Sequence, residues 1–372
     1  MNKINEFYPL FGDKELERVI QSMHQNRISQ GKITSEFENA IAEFLDVKYV
    51  VAVSNGTSAL LLSLMSLGVD SNSEVIIPNR TWIATAHAAL MLGAKVVLVD
   101  IEPNRPVIDV SKIEASITEK TKVILPVHLN GRSADITTIN SIAKKHNLFV
   151  VEDAAQAFGS QNQFGYLGTQ SDIGCFSLSM GKIITSGQGG FAVTNNPKLA
   201  DLMRRIRTHG LSNITYIDKY NIPGFNFKYT DIQASIGMAQ LESLSERIIR
   251  LKEIYKFYYE ALSQNDQLLP IAVDIEMGEV PLYNEYLCND RNKFINYLEE
   301  NGIQCRPFYP DLDRATYLSD QQCHYINSRK VEKEGVYLPG GVGIEDSQLT
   351  KVVENIHQYF SNHRTKTSHS TF

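Results

Sequence analysis

One lysine, Lys182, lies between a hydroxyl-dotted run and a cluster of glycines in the segment FSLSMGKIITSGQGG, Phe176 to Gly190. A lysine ammonium in a partly dry pocket is destabilised, and the neutral amine attacks carbonyl carbons to form a Schiff base. Read alone, the segment also fits a solvated loop lysine, and Ser177 and Ser179 either enter a pocket or pair across a sheet. Two further segments carry the same ambiguity. VVEDAAQAFG delivers Glu152 and Asp153 at the end of an apolar run, with Gln156 close behind. Asp153 there either serves a ligand or caps a helix. SNGTSAL, Ser54 to Leu60, opens a helix with small and hydroxyl residues. The amides of that helix end either bind phosphate or are closed by Thr57 or Ser58.

Taken together the three segments narrow the chemistry. A phosphate cradle, a carboxylate at a strand end and a nucleophilic lysine are what pyridoxal 5′-phosphate needs: an anchor, a partner for its ring nitrogen and a covalent attachment. Trp82, the only tryptophan, follows another apolar run and either faces the cofactor ring or fills the core.

The elements that must position these residues follow from hydrophobic periodicity. Short β-branched runs alternate with helical patterns between Lys48 and Thr194: YVVAVS, EVIIP, KVVLVD, KVILPVHL, LFVVED, IGCFSLS and GFAVTN. Several are continuously apolar, as in strands buried on both faces, so the reading is α/β with a mostly parallel sheet. Ligands of such sheets sit at the carboxyl ends of the strands, where all three segments fall. The helix from Thr57 to Leu67 is apolar nearly all round and reads as buried, whereas Asp135 to His146 is amphipathic. Leu241, Leu244, Ile248, Leu251, Tyr255 and Tyr258 read as one face of a single long helix, with Glu242, Arg247, Arg250 and Glu253 opposite. That helix bridges to a smaller α+β domain, with a strand near Val280 to Leu287 and helices at Asp290 to Asn301 and Asp346 to Phe360. The expected division is a large domain over 1–245, a small domain over 246–360 and a frayed tail over 361–372.

Composition restricts the partners. A chain of 372 residues suits two domains sharing a cleft. Acidic residues exceed basic ones by 42 to 36, which leaves no basic field for nucleic acid. Apolar runs fall short of the about 20 residues that span a bilayer. Four cysteines lack metal-site or redox spacing, no metal is expected, and no charged-then-apolar leader precedes the chain, so the expected compartment is the cytoplasm.

The ordered motifs ISQGKITSEFENAIAEFLDVKYVVAVSNGTSAL, VVEDAAQAFGS, FSLSMGKIITSGQGGFAVTNN and YTDIQASIGMAQL resemble the DegT-type (DegT/DnrJ/EryC/StrS) sugar aminotransferases, fold-type-I pyridoxal-phosphate enzymes. Weaker similarity continues through GIQCRPFYP and VYLPGGVG. The resemblance implies a large domain with a seven-stranded sheet between helices. It makes Lys182 the lysine that carries the cofactor and Asp153 the partner of its pyridinium nitrogen. Gln156 would lie near the phenolic oxygen, Trp82 on the ring, and Gly56, Thr57, Ser58 and Ser177 around the phosphate. It further implies a homodimer in which the neighbour's loop GFNFKYTD completes each site through Asn226 and Lys228. The implied substrates are glutamate (or glutamine), with 2-oxoglutarate as product, and a nucleotide-linked keto-sugar. RPFYP leans toward a 4-keto-6-deoxyhexose, with His128, Arg306 and Tyr309 as substrate contacts.

Two departures stand out. Lys228 replaces the family's arginine, and Asn130 replaces tyrosine in PVHLNG, a change expected to alter the sugar pocket. Family members with histidine at the lysine position are sugar dehydratases, and Lys182 argues against that branch. A nicotinamide dehydrogenase would need GxGxxG after the first strand, which SNGTSAL lacks. A non-catalytic regulator keeping the fold is disfavoured by the complete reactive set.

Overall fold

The computed structural model describes residues 3–212, 215, 217, 219–318 and 324–367. Its strands, in chain order, are β1 (Tyr49–Val53), β2 (Glu74–Pro78), β3 (Lys95–Val99), β4 (Thr121–Ile124), β5 (Phe149–Asp153), β6 (Gln161–Asn162), β7 (Gly165–Tyr166), β8 (Ile173–Ser177), β9 (Gly190–Thr194), β10 (Leu268–Pro270), β11 (Asn284–Cys288), β12 (Arg306–Pro307) and β13 (Gly335–Leu338). Seven of them form one sheet in the order β1-β9-β8-β5-β4-β2-β3. Its pairings are parallel except at β9, which runs against both β1 and β8. The mostly parallel sheet expected from the apolar runs is therefore present. The physical basis is burial: β2 and β9 are buried along their whole length, which only a strand covered on both faces can be.

Helices supply that cover. The helix Gly56–Ser66 packs Ala59, Leu60, Leu62 and Leu64 against Val51, Val75, Val151 and Ala192 of one face. On the other face Phe37 and Ile41 of the helix Lys32–Leu45 meet Phe176, Phe191 and Tyr229. The carboxyl ends of β1, β2, β5 and β8 share one edge of the sheet with the amino end of β9, where Val53 and Ser177 both pair with Gly190. A Cβ on Gly190 would lie 2.6 Å from the Phe176 carbonyl oxygen and 2.7 Å from Asn55 C, so only glycine admits the chain there.

A second sheet, β10-β11-β13-β12, is antiparallel throughout and backed by the helices Arg291–Glu300 and Asp346–Thr367. The first described residues join it: Ile4 bridges Ile303 and Phe7 bridges Gly340. Arg132, fully buried, ties the two layers by donating to Glu285 at 2.6 Å and to the carbonyls of Ile271 and Ala272 at 2.8 Å each.

Two expectations need correction. The long helix is two, Asp231–Glu242 and Leu244–Leu262, broken at Ser243 (φ −101°, ψ 10°). The Ser243 hydroxyl donates to the Gln240 carbonyl at 3.1 Å and accepts from Arg247 at 2.8 Å, local bonds that compete with the helix ladder. Arg247 consequently lies buried instead of solvated and donates to the Leu10 carbonyl at 3.0 Å. The tail expected from 361 is helical to Thr367; the remainder of that tail, 368–372, and Cys323 lie outside the described residues. No helix among the described residues is long and apolar enough to cross a membrane.

Candidate active site

The strand ends open into a cleft of about 440 Å³, within the range of small-molecule sites. Gly56, Thr57, Trp82, Asp153, Gln156, Ser177, Lys182, Arg306 and Tyr309 all line it, so residues far apart in the chain converge on one space.

Asp153 ends β5 and is 5 % exposed. Its carboxylate accepts from the Thr85 hydroxyl at 2.8 Å and from the Ala155 amide at 3.1 Å. Burial pushes its pKa above the ordinary value, against the pull of those two donors and of the nearby Lys182 ammonium. The group thus lacks a full counter-charge, and a cation placed in the cleft would supply one.

Lys182 follows β8, its amide donating to the Ser179 carbonyl at 3.0 Å. Burial lowers its pKa to about 8; Asp153 opposes the shift and Arg306 adds to it. At pH 7 roughly a tenth of the side chain is then the free amine, the nucleophilic form, far more than for an ordinary lysine. The loop is held from the second layer, where the Tyr283 hydroxyl donates to the Gly181 carbonyl at 3.0 Å.

The residues expected around the phosphate divide between the cleft and the core. The helix Gly56–Ser66 begins at the cleft, and its N-cap is Asn55, not Thr57 or Ser58: the Asn55 side chain accepts from the Ser58 amide at 2.8 Å. Ser58 is buried, shares a 3.2 Å hydrogen bond with Ser54, and does not line the cleft. The amides of Gly56 and Thr57 remain without intrahelical partners at the positive end of the helix. A Cβ on Gly56 would lie 2.9 Å from the Ser177 Cβ, so its absence keeps this cradle open.

The walls are aromatic. Trp82 is 55 % exposed into the cleft and meets Tyr309 edge to face, with centroids 5.6 Å apart. Behind them lies a group that sequence reasoning missed, Arg80. It is 1 % exposed, donates to Asp311 at 3.0 Å and to the Tyr309 carbonyl at 2.5 Å, and sits 4.4 Å beneath the Tyr309 ring. Its neighbour in sequence, Asn79, gives its side-chain amide to Asp313 at 3.0 Å and to Ser328 at 2.9 Å. No periodicity or motif marks this pair, because its partners lie in a distant segment.

Other expected contacts lie elsewhere. His128 is fully buried outside the cleft; its Nδ1 accepts from the Ala134 amide at 3.2 Å, so Nε2 carries the proton toward Glu152, 2.8 Å away. Glu152 also accepts from Gly168, Gln170 and Ser171, a set of donors that outweighs its burial and holds its pKa below the ordinary value. Asn130 is likewise buried outside the cleft, in the left-handed region at φ 54° that asparagine tolerates. Its side chain pairs with both backbone groups of Tyr283 (3.0 and 2.7 Å) and its amide donates to Gln156 at 2.9 Å. It braces Gln156 and does not itself line the cleft. Asn226 and Lys228 lie on a segment that bridges Thr208 and Val53, outside this chain's cleft.

This set fits pyridoxal 5′-phosphate: a desolvated amine, an undercompensated buried carboxylate for the ring nitrogen, an open helix end for the phosphate and an aromatic face. Among the described residues no group of acidic, histidine or cysteine side chains is arranged to hold a metal ion.

Comparison with known proteins agrees. The chain is 35% identical over 365 residues to a GDP-perosamine synthase of Escherichia coli O157:H7, covering 97% of this chain and 100% of the relative. A GDP-perosamine synthase of Caulobacter vibrioides is 34% identical, with 96% and 98% covered. The solved structure of a putative sugar aminotransferase, Spr1654 from Streptococcus pneumoniae in its PMP form, superposes with a TM-score of 0.92 at 25% identity, covering 98% of this chain and 100% of that one. Residues 9–357 match the model of one family, and the chain belongs to it: the DegT/DnrJ/EryC1/StrS aminotransferase family.

Proposed function

We propose that this protein is a pyridoxal-phosphate-dependent aminotransferase that moves an amino group from glutamate, or glutamine, to a nucleotide-linked keto-sugar. The sugar is a 4-keto-6-deoxyhexose and the product an amino sugar for a surface glycan or natural product. The observation that carries the reading is the placement of Lys182 and Asp153 at neighbouring strand ends of one cleft, each perturbed by burial and each acting on the other's charge. The similarity to two GDP-perosamine synthases supports the substrate class.

When bound, the cofactor supplies a covalent site for the amino group and an electron sink for the bond that breaks. Lys182 Nζ, in its neutral form, would make the attachment and would become a free amine once the donor amine replaced it. The loop that carries Lys182 is fixed by its backbone, through the Lys182 amide on Ser179 and the Gly181 carbonyl on Tyr283, and from there the free amine would take the proton from the donor Cα and give it back as general acid. Asp153, oriented by Thr85 and Ala155, would hold the protonated ring nitrogen. Gly56, Thr57 and Ser177 would hold the phosphate, Trp82 would cover the ring and Gln156 would meet the phenolic oxygen, with Tyr309 on the sugar side; all of them line the one cleft. Two half-reactions in one cleft give ping-pong kinetics. We further propose a cytoplasmic homodimer in which the partner's loop brings Asn226 and Lys228 to each site.

The test is a screen of UDP-, dTDP- and GDP-linked 3-keto and 4-keto sugars with glutamate, following 2-oxoglutarate. Release with a GDP-linked 4-keto-6-deoxyhexose is expected. Turnover of free keto acids alone overturns the sugar assignment, and sugar dehydration without 2-oxoglutarate overturns the transamination.

A further inference from the structure

Two cations line the cleft among the described residues, Lys182 and Arg306. Lys182 is committed to the covalent chemistry. An amino donor such as glutamate brings carboxylates into the same space, and a guanidinium is the side chain that matches a carboxylate in a fork.

Arg306 opens β12, and its guanidinium stacks 4.4 Å over the Tyr337 ring. Its Nε donates to the carboxylate of Glu6, and its other donors take no protein acceptor among the described residues. The side chain keeps 39% of its surface exposed. Glu6 reaches it from the N-terminal segment, which lies along the second layer: the Gly340 amide donates to the Glu6 carbonyl at 2.9 Å and the Tyr8 amide to the Gly340 carbonyl at 3.0 Å. A protein carboxylate therefore occupies the one guanidinium of the cleft, close enough to Lys182 for Arg306 to depress the lysine's pKa. Lys228, which stands where the family has an arginine, sits against Val53 outside the cleft of its own chain.

We propose that Arg306 binds the amino donor's carboxylate, and that Glu6 holds the guanidinium in place and yields to that carboxylate when the donor enters. The inference rests on the aminotransferase reading, but it concerns one half-reaction only. The keto-sugar brings no carboxylate; the proposal moves Arg306 from the sugar, where the resemblance put it, to the donor, and a guanidinium bound to the nucleotide's phosphates instead would show as loss in the sugar half-reaction as well.

Two measurements test it. Single-turnover absorbance of the cofactor-loaded enzyme separates the donor half from the sugar half, and calorimetry measures binding of glutarate, an unreactive dicarboxylate. Arg306→Gln is expected to raise the glutamate concentration for half-maximal rate, and to weaken glutarate binding, by about tenfold or more. The sugar half should change by less than about twofold, and Arg306→Lys should recover part of the donor loss. Glu6→Gln, a mild substitution that tests the same contact from the other side, should tighten glutarate binding and lower the glutamate requirement. Equal loss in both half-reactions, or an unchanged glutamate dependence in Arg306→Gln, overturns the proposal. So does a loss in Lys228→Ala confined to the donor half-reaction and to glutarate binding, which would assign the carboxylate to the neighbour's loop, or weaker glutarate binding in Glu6→Gln. A wild-type enzyme that converts with neither glutamate nor glutamine removes the aminotransferase reading and this inference with it.

Discussion

At the scale of single residues, burial perturbs both reactive groups, and the signs can be followed. Lys182 has a folded pKa of about 8 against an ordinary 10.5, so burying its ammonium costs stability fully below about 8 and nothing above 10.5. Capture of the cofactor by the apoprotein should accordingly speed up as pH rises through about 8 and then level off, measured by the growth of the bound-cofactor absorbance. Asp153→Asn removes a charge that favours the ammonium, and the midpoint should fall. For Asp153 the folded pKa is raised, so the ionised carboxylate weakens the apoprotein at pH values above the ordinary carboxylate range. The same variant should therefore melt no lower than wild type at neutral pH while losing nearly all turnover, measured by calorimetry and by 2-oxoglutarate release. Near-normal turnover would refute the role given to Asp153. Lys182 and Asp153 were legible in the sequence because each follows an apolar strand. Thr85, Arg80 and the Glu152–His128 pair were not, because their partners are fixed by packing between segments.

At the scale of elements, the cleft depends on a helix end and on a strap from the second layer. Gly56→Ala would set a methyl 2.9 Å from the Ser177 Cβ and crowd the phosphate end. The expected result is weaker cofactor affinity with folding preserved, read by fluorescence titration. Arg80→Met leaves Asp311 buried with its nearest cation removed, a change that costs about 3–5 kcal/mol in comparable buried pairs. Urea unfolding should show that loss, and Arg80→Met with Asp311→Leu should recover much of it; additive losses would mean the pair is not coupled. The seven strands could be read within a few residues, since strands buried on both faces carry their burial in plain apolar runs. The break at Ser243 escaped the same reading, because hydrophobic spacing continues through it and only a side-chain hydrogen bond marks the stop. Asn130 was noticed but assigned to the sugar pocket, whereas a left-handed backbone position explains it.

At the scale of the whole molecule, the account places Lys182 and Lys228 in the same site only if they come from different subunits. Co-expressed Lys182→Ala and Lys228→Ala chains should then recover activity that neither has alone, since each mixed dimer keeps one intact site. Absence of recovery would place Lys228 outside the catalytic assembly. The proposed assembly would leave only a faint mark in the sequence, the loop GFNFKYTD, because a single chain's periodicity records its own core and not its neighbour's surface. The claim on which everything else depends is the covalent role of Lys182. Borohydride reduction of the enzyme loaded with pyridoxal 5′-phosphate, followed by peptide mass mapping, tests it most directly. The account predicts the reduced cofactor on the peptide containing Lys182 and its loss in Lys182→Ala; cofactor on another lysine, or on none, would contradict it.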